Sequence, residues 1–190
     1  NGVSIADVRD SESSPNGFIG LQVHGIEPGS AAERAGLRLL DVVVAIDGMG
    51  TPGRSKAFHD TYYGDMGDNT LPDQVTGIQQ LARRYPWIDV ERVGIWGHSG
   101  GGFATAAAMF RYPDFFKVAV SSSGNHNNDV YRWWSETHHG VKEVEDDSGN
   151  VSFEYDIKKN SDLAANLQGN LLLTTGDIDN NVHPAGTYRM

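Results

Sequence analysis

The most telling segment of this 190-residue chain reads Arg92-Val93-Gly94-Ile95-Trp96-Gly97-His98-Ser99-Gly100-Gly101-Gly102-Phe103. It predicts a short buried strand, a glycine-flanked serine and then a helix of small residues, an arrangement called a nucleophile elbow. The sharp turn strains the serine backbone, and we expect glycines at Gly97 and Gly101 to leave the room that it needs. Ser99 is therefore the candidate nucleophile.

The helix predicted after the serine should stabilise a negative charge at its N-terminus. Its first backbone N–H groups and the positive end of its dipole would lie where an oxyanion develops, and the Gly100 N–H is the natural donor. A glycine-rich turn of a nucleotide-binding fold is the alternative. No Lys-Ser or Lys-Thr pair follows to complete a phosphate loop, which favours the nucleophile.

Composition excludes several classes of partner. The net charge is −10 and the pI is about 5.0, so the clustered cations that bind nucleic acid or an anionic membrane are missing. No apolar run approaches the roughly 18 residues that cross a bilayer. Cysteine is absent, which excludes disulfides and thiolate metal sites and leaves the compartment open, with the periplasm or secretion favoured for the full-length protein.

The first quarter of the chain differs in character from the rest. After a polar leader over residues 1–15, the pattern predicts a strand over 17–23, a short helix over 30–36 and a strand over 41–48. Ser30 can cap the helix and Gly36 can end it.

Residues 16–48 resemble the first half of a bacterial PDZ domain. The resemblance implies that backbone N–H groups of one loop bind a peptide carboxylate, and the residues concerned are Gly17, Phe18, Ile19 and Gly20. A generic strand-helix-strand unit without a ligand is the alternative.

From residue 42 onward the chain resembles the prolyl oligopeptidase family, in its dipeptidyl-peptidase IV branch. Separated motifs agree in order and spacing, at residues 42–60, 78–82, 87–89, 92–103, 111–120 and 171–183. The resemblance implies part of a three-layer α/β-hydrolase sandwich over residues 42–190, a serine peptidase acting on short peptides, and no cofactor. Independently, apolar runs that alternate with helical stretches predict a parallel sheet covered on both faces.

Two aspartates compete for the role of the acid partner. An α/β-hydrolase takes its carboxylate from the loop after a later strand, here predicted over residues 171–175, and both Asp177 and Asp179 lie there. The resemblance selects Asp179, which precedes the Asn-Val-His element. A turn aspartate bonded to its own backbone is the alternative for either residue.

The same resemblance implies a pocket for the residue before the cleaved bond, suited to proline or alanine. Asn181 and Val182 would line it, and Tyr131, Trp133 and Trp134 would form its aromatic wall. A tryptophan pair packed under a lid is the alternative.

The third member of a triad is the difficulty. His183 is the only histidine after Asp179, but it lies on the same loop, and the resemblance makes it noncatalytic. His98 should point away from the serine, and adjacent His138 and His139 face different directions, so we expect no metal.

The family carries its catalytic histidine after one more helix and strand. We therefore interpret the chain as a fragment or fusion, weakly active or inactive as it stands, with a second oxyanion tyrosine and a β-propeller also missing. A noncatalytic peptide-binding module or a pseudoenzyme fragment is the alternative function.

Overall fold

The computed structural model describes residues 3–9, 18–26, 28, 38, 41–64, 66–154 and 157–190. The chain divides into two compact units, Asn1–Asp47 and Gly48–Met190.

The first unit contains a three-stranded antiparallel sheet. Its strands are β1 (Val3–Arg9), β2 (Phe18–Ile26) and β3 (Val42–Val43), in that order across the sheet. Residues 3–9, which the sequence analysis assigned to a polar leader, form a strand instead, because β1 pairs with β2 along its whole length. The strand expected over 41–48 is only two residues long, and the helix expected over 30–36 lies outside the described residues.

The second unit alternates strands and helices. The strands are β4 (Val93–His98), β5 (Phe116–Ser122), β6 (Lys142–Glu145), β7 (Val151–Glu154) and β8 (Asn170–Thr174). The helices are α1 (Lys56–His59), α2 (Leu71–Arg84), α3 (Gly100–Arg111), α4 (Arg132–His139), α5 (Asn160–Leu163) and α6 (Ala185–Tyr188). Short 3₁₀ turns occupy Asp60–Tyr62, Met66–Asp68, Val90–Arg92 and Ala164–Asn166.

The parallel sheet that the sequence predicts is confirmed. Its order is β4-β5-β8, and both pairings are parallel. Parallel strands need crossover connections, and α3 supplies the first of them. Because all three strands run the same way, their carboxyl ends meet at one edge of the sheet, where Ser99 follows β4.

Helix α3 is the centre of the core. Its alanine-rich sequence favours a helix, and the side chains from Thr105 to Phe110 are buried against Phe116 and Ala119 of β5. Leu71 of α2 joins the same cluster. Truncating Phe110 or Phe116 to alanine would cost about 3–5 kcal/mol, as is usual for a fully buried aromatic ring.

The opposite face of the sheet is uncovered in the described part of the unit. Trp96, Val118 and Leu172 are 62%, 48% and 54% exposed, one from each strand. The expected cover on both faces is therefore not seen for these residues, and the third layer stays a prediction. Side chains alternate along each strand, so the neighbours of these three residues face α3 while the three lie on the other side.

The segment before α2 is fixed by local hydrogen bonds. The Met49 N–H donates to Asp73 Oδ2 at 2.7 Å, and the Gly50 N–H donates to the Phe58 carbonyl oxygen at 2.8 Å. Ser55 caps α1 by accepting from the Phe58 N–H. These bonds hold the segment from Gly48 to α1 against the start of α2.

Candidate active site

The turn between β4 and α3 has the strained geometry of an elbow. Ser99 has φ 58° and ψ −123°, and a left-handed φ at a non-glycine residue costs about 1–3 kcal/mol. Two hydrogen bonds hold it: the Ser99 N–H donates to the Ser122 carbonyl at 2.9 Å, and the Phe103 N–H donates to the Ser99 carbonyl at 3.0 Å. The turn thus projects Ser99 from the carboxyl end of the sheet, and its role as nucleophile stays a prediction.

The glycines around the serine are needed for different reasons. A Cβ at Gly97 would lie 2.2 Å from the Gly101 carbonyl oxygen and 2.8 Å from Thr105 Oγ1, so only glycine fits there. A Cβ at Gly101 would meet no atom within 4 Å, so the expectation that Gly101 leaves room for the turn is wrong. Gly102, which the sequence reasoning missed, brings α3 onto β5, because its Cβ would lie 2.6 Å from the Ser122 carbonyl oxygen.

Gly100 is the first residue of the 12-residue helix α3. The first N–H groups of a helix have no partner within it, so the Gly100 N–H is free of the helical ladder. Its hydrogen-bonding capacity and the helix dipole both favour an anion beside Ser99. The predicted oxyanion donor therefore lies at a suitable place in the fold, and its role is untested.

Asp179 lies on the loop after β8, and its carboxylate is fixed by the loop backbone. Oδ1 accepts from the Asn181 N–H at 3.0 Å and from the Val182 N–H at 2.9 Å. These two bonds lower the pKa of Asp179, and the Ser123 hydroxyl and the His98 ring lower it further. The carboxylate is therefore held ionised, and it is bonded to its own turn as the alternative interpretation supposed.

Asp177 has a different hydrogen-bond partner. It is exposed, and its Oδ1 accepts from the Tyr188 hydroxyl at 2.7 Å. This contact ties the loop to α6. The two aspartates are thus separated by their partners, although they are only two positions apart.

The histidines near the serine are engaged elsewhere. His98 Nδ1 lies 3.2 Å from Ser122 Oγ, and His183 Nδ1 accepts from the Ala185 N–H at 3.1 Å. Among the described residues, no hydrogen bond joins an imidazole to the Ser99 hydroxyl. None of these contacts therefore pairs Ser99 with a general base, and the identity of its base stays a prediction.

The residues predicted to line a pocket are only partly brought together. Tyr131 is buried, and its hydroxyl donates to Asn181 Oδ1 at 2.7 Å. Trp134 stacks on Tyr131 with ring centroids 5.5 Å apart, and Val182 is buried. Trp133 touches Tyr131 edge-on but is 70% exposed, so it forms no enclosed wall.

A buried hydrogen-bond network around His126 reaches the first turn of α3 through the Gly102 carbonyl. His126 is 1% exposed, and its Nδ1 accepts from the Asn160 side-chain amide at 3.0 Å. Its Nε2 lies 3.4 Å from Ser121 Oγ, and that hydroxyl donates to the Gly102 carbonyl at 2.7 Å. Burial lowers the pKa of His126 to about 4, so the ring is neutral at physiological pH.

The described residues contain neither a candidate metal site nor a candidate membrane-spanning helix. No cluster of three or more histidine, aspartate and glutamate side chains there could hold a metal ion. The neighbouring histidines diverge, since His138 Nδ1 binds the Trp134 carbonyl and His139 Nδ1 accepts from the Met66 N–H. Of the helices described, none combines the length and the apolar character that a membrane span requires.

The residues predicted to bind a peptide carboxylate lie in a strand. Phe18, Ile19 and Gly20 belong to β2, where Phe18 pairs with Arg9 and Gly20 with Val8. The expectation that they form a loop is therefore wrong, because successive N–H groups of a strand point to opposite sides. Gly17 lies outside the described residues, and carboxylate binding stays a prediction.

Comparison with known proteins gives a consistent result. The model of the prolyl oligopeptidase family matches residues 39–190. Human dipeptidyl peptidase 8 is 33% identical over 149 residues, which cover 77% of this chain and 16% of that protein. Venom dipeptidyl peptidase 4 of Vespula vulgaris is 31% identical over 144 residues, which cover 73% of this chain and 18% of that protein.

Solved structures agree. Porphyromonas gingivalis dipeptidyl peptidase 4 superposes with a TM-score of 0.61 at 28% identity, over 78% of this chain and 20% of that one. The structural neighbours are α/β-hydrolase peptidases with a parallel sheet. This chain spans less than a fifth of the curated relatives named above, and none of these findings supports the PDZ resemblance of residues 16–48.

Proposed function

Because this chain belongs to the prolyl oligopeptidase family, we propose that it carries the nucleophile and the acid partner of a serine peptidase that cleaves short peptides. The observation that carries the proposal is the strained Ser99 turn at the carboxyl end of β4. Asp179 follows β8 at the same edge of the parallel sheet. Nucleophile and carboxylate thus occur in the chain order that an α/β-hydrolase uses.

The reaction would pass through an acyl-enzyme. The Ser99 Oγ attacks the carbonyl carbon of the peptide bond while its proton moves to an imidazole, and the Gly100 N–H stabilises the oxyanion. The imidazole then gives the proton to the leaving amine as the C–N bond breaks. Water, deprotonated by the same imidazole, hydrolyses the ester and regenerates the serine.

The imidazole would come from a histidine that is not among these 190 residues, with Asp179 as its orienting carboxylate. Two observations support this proposal: His183 Nδ1 is bound by the Ala185 N–H, and His98 Nδ1 lies against Ser122 Oγ. The family resemblance implies a histidine after a further helix and strand. An orienting carboxylate must be ionised to stabilise an imidazolium, and the lowered pKa of Asp179 meets that need.

The residue before the cleaved bond would lie beside Tyr131, Trp134, Asn181 and Val182. The Tyr131–Asn181 hydrogen bond supports this, because it joins the aromatic wall to the loop that carries Asp179. Exposed Trp133 would contribute from the rim. The wall and the acid would then be positioned together.

Labelling by a fluorophosphonate tests the nucleophile. We expect weak labelling of the 190-residue chain and strong labelling of a longer natural chain that includes the histidine, because an oxyanion site without a base retains only residual reactivity. Ser99→Ala should abolish labelling of the longer chain. Ser148→Ala is the matched control, since Ser148 lies on the exposed β6–β7 hairpin, and it should label like the parent.

Two outcomes would contradict the proposal. Strong labelling of the short chain that depends on Ser99 would show that a base lies within it, and His98 and His183 would become the candidates. A longer chain that labels equally with and without Ser99 would refute the nucleophile assignment.

A further inference from the structure

Three consecutive glycines, Gly100, Gly101 and Gly102, form the first turn of α3 directly after the serine. Glycine loses more backbone freedom on folding than any other residue, and it has no side chain that could pack. This glycine turn therefore needs contacts from outside the helix to stay ordered. It also carries the Gly100 N–H, the predicted oxyanion donor, so its order decides how precisely that donor is aimed.

Two buried side chains bind carbonyl groups at the start of α3. The Ser121 hydroxyl donates to the Gly102 carbonyl oxygen at 2.7 Å. The Asn160 side-chain amide donates to the Phe103 carbonyl oxygen at 2.9 Å. Both donors are 0% exposed. A helical carbonyl oxygen accepts one N–H from the following turn and has a second lone pair, so these bonds add to the helical ladder without replacing it.

His126 joins the two donors into one network. The Asn160 amide also donates to His126 Nδ1 at 3.0 Å, so the neutral ring carries its proton on Nε2. That Nε2–H faces Ser121 Oγ at 3.4 Å, and the Ser121 hydroxyl is directed to the Gly102 carbonyl. Every donor along this path therefore points the same way, and hydrogen bonds in such a chain polarise and strengthen one another.

The backbone fixes the network in place. The Asn160 N–H donates to the His126 carbonyl oxygen at 3.0 Å, so the start of α5 is bonded to the segment after β5. A Cβ on Gly102 would lie 2.6 Å from the Ser122 carbonyl oxygen. A Cβ on Gly124 would lie 2.6 Å from the His126 ring. The glycine turn therefore packs directly on the end of β5, with the network beside it.

We propose that Asn160, His126 and Ser121 are positioning residues for the oxyanion donor. They hold the glycine turn in helical geometry, so that the Gly100 N–H is aimed in advance at the oxygen that becomes negative when Ser99 attacks. A donor that is fixed before the reaction needs no reorganisation in the transition state. The proposal rests on the proposed function, and the three side chains act through the backbone of α3.

The order of the glycine turn can be measured without catalysis. NMR relaxation of the amides of Gly100, Gly101 and Gly102 is compared between the 190-residue chain and Asn160→Ala, which removes both amide donors. We expect order parameters of about 0.85 in the parent and below about 0.6 in the variant, the values typical of rigid and flexible backbone. Order parameters that stay near those of the parent would overturn the proposal.

Two variants control for effects that are not specific to the network. Asn166→Ala removes an exposed asparagine six residues further on and should leave the glycine turn ordered. Ile78→Ala removes a side chain of α2 that packs on the core cluster and contributes no atom to the network, so it should destabilise the unit and also leave the turn ordered. Equal loss of order in Ile78→Ala would overturn the proposal. If Asn160→Ala fails to fold, Ser121→Ala decides, and an ordered turn in that variant would overturn it as well.

Fluorophosphonate labelling of a longer natural chain that includes the histidine connects this order to the reaction. Removal of one oxyanion donor lowers rates about 10²–10³-fold, so a donor that is badly aimed should slow labelling at saturating probe at least tenfold in Asn160→Ala. The half-saturating probe concentration should change less than threefold. Partial unfolding would lower the rate only in proportion to the unfolded fraction, which circular dichroism measures. An unchanged rate, or a change confined to the half-saturating concentration, would overturn the proposal.

The two measurements separate this proposal from the proposed function. A parent chain that is not labelled at Ser99, together with a glycine turn that loses order in Asn160→Ala, would refute the peptidase and support the network as the support of the turn. A parent chain that is labelled, together with an ordered turn and an unchanged rate in Asn160→Ala, would support the peptidase and refute the positioning role.

Discussion

Protonation of His126 should destabilise the unit Gly48–Met190 in a defined pH range. The ring is almost fully buried, and its Nδ1 is occupied by the Asn160 amide, which also donates to the Phe103 carbonyl. A proton on Nδ1 would place two donors face to face in a buried site. Burial accordingly lowers the pKa of His126 to about 4.

The magnitude follows from proton linkage. The ordinary pKa of 6.5 and the native pKa of about 4 differ by about 2.5 units, and each unit corresponds to about 1.4 kcal/mol. Between these values the unfolded chain binds more protons than the native one, so the free energy of unfolding falls as the pH falls. The contribution is complete above pH 6.5, and a total of about 3 kcal/mol is lost by pH 4.

Urea unfolding at a series of pH values measures this loss. All four tryptophans lie in the Gly48–Met190 unit, so their fluorescence reports on it. His126→Asn is the comparison, because an asparagine oxygen can replace Nδ1 as the acceptor for Asn160 and does not titrate. It should be less stable than the parent at pH 7.5, but its stability should depend less on pH between 6.5 and 4.5. Parallel pH curves for parent and variant would refute the reasoning.

Three further predictions concern the site. Gly97→Ala should lower the thermal midpoint by at least 10 °C, because its Cβ would lie 2.2 Å from a carbonyl oxygen; a loss of a few degrees would mean that the turn relaxes easily. In an active chain that includes the histidine, Asp179→Asn should lower kcat roughly 10⁴-fold by leaving the imidazole in the wrong tautomer, whereas Asp177→Asn should cost little, and equal losses would show the acid to be misassigned. Tyr131→Phe removes the hydrogen bond to Asn181 and should raise KM about three- to tenfold with kcat nearly unchanged; a fall in kcat alone would place its effect on the acid instead.

The serine turn could be predicted because its geometry depends on close neighbours in the sequence. Gly97 must approach the backbone four residues ahead, and this contact is set by the turn itself. The role of Gly101 could not be predicted in the same way. Whether a glycine faces atoms or empty space depends on Trp134 and on the segment before α2, which lie more than 30 residues away in either direction.

The uncovered face of the sheet shows another limit of sequence reasoning. Strands β4, β5 and β8 read as continuous apolar runs, which is typical of strands buried on both sides. An apolar run indicates that a strand can be buried on both faces. It does not indicate whether a layer of helices covers each face. Strand β1 was not predicted from the sequence. Its partner β2 follows a polar segment, and the pairing has no signature in the local sequence.

The exposed row of Trp96, Val118 and Leu172 has a practical consequence for solution work. Dyes such as ANS fluoresce when they bind accessible apolar surface, and their signal is commonly taken as a mark of a molten globule. This unit offers such surface while its core is fully packed. ANS fluorescence will therefore be high in the native state, and loss of near-ultraviolet circular dichroism is the observable that distinguishes a loosened core from the folded one.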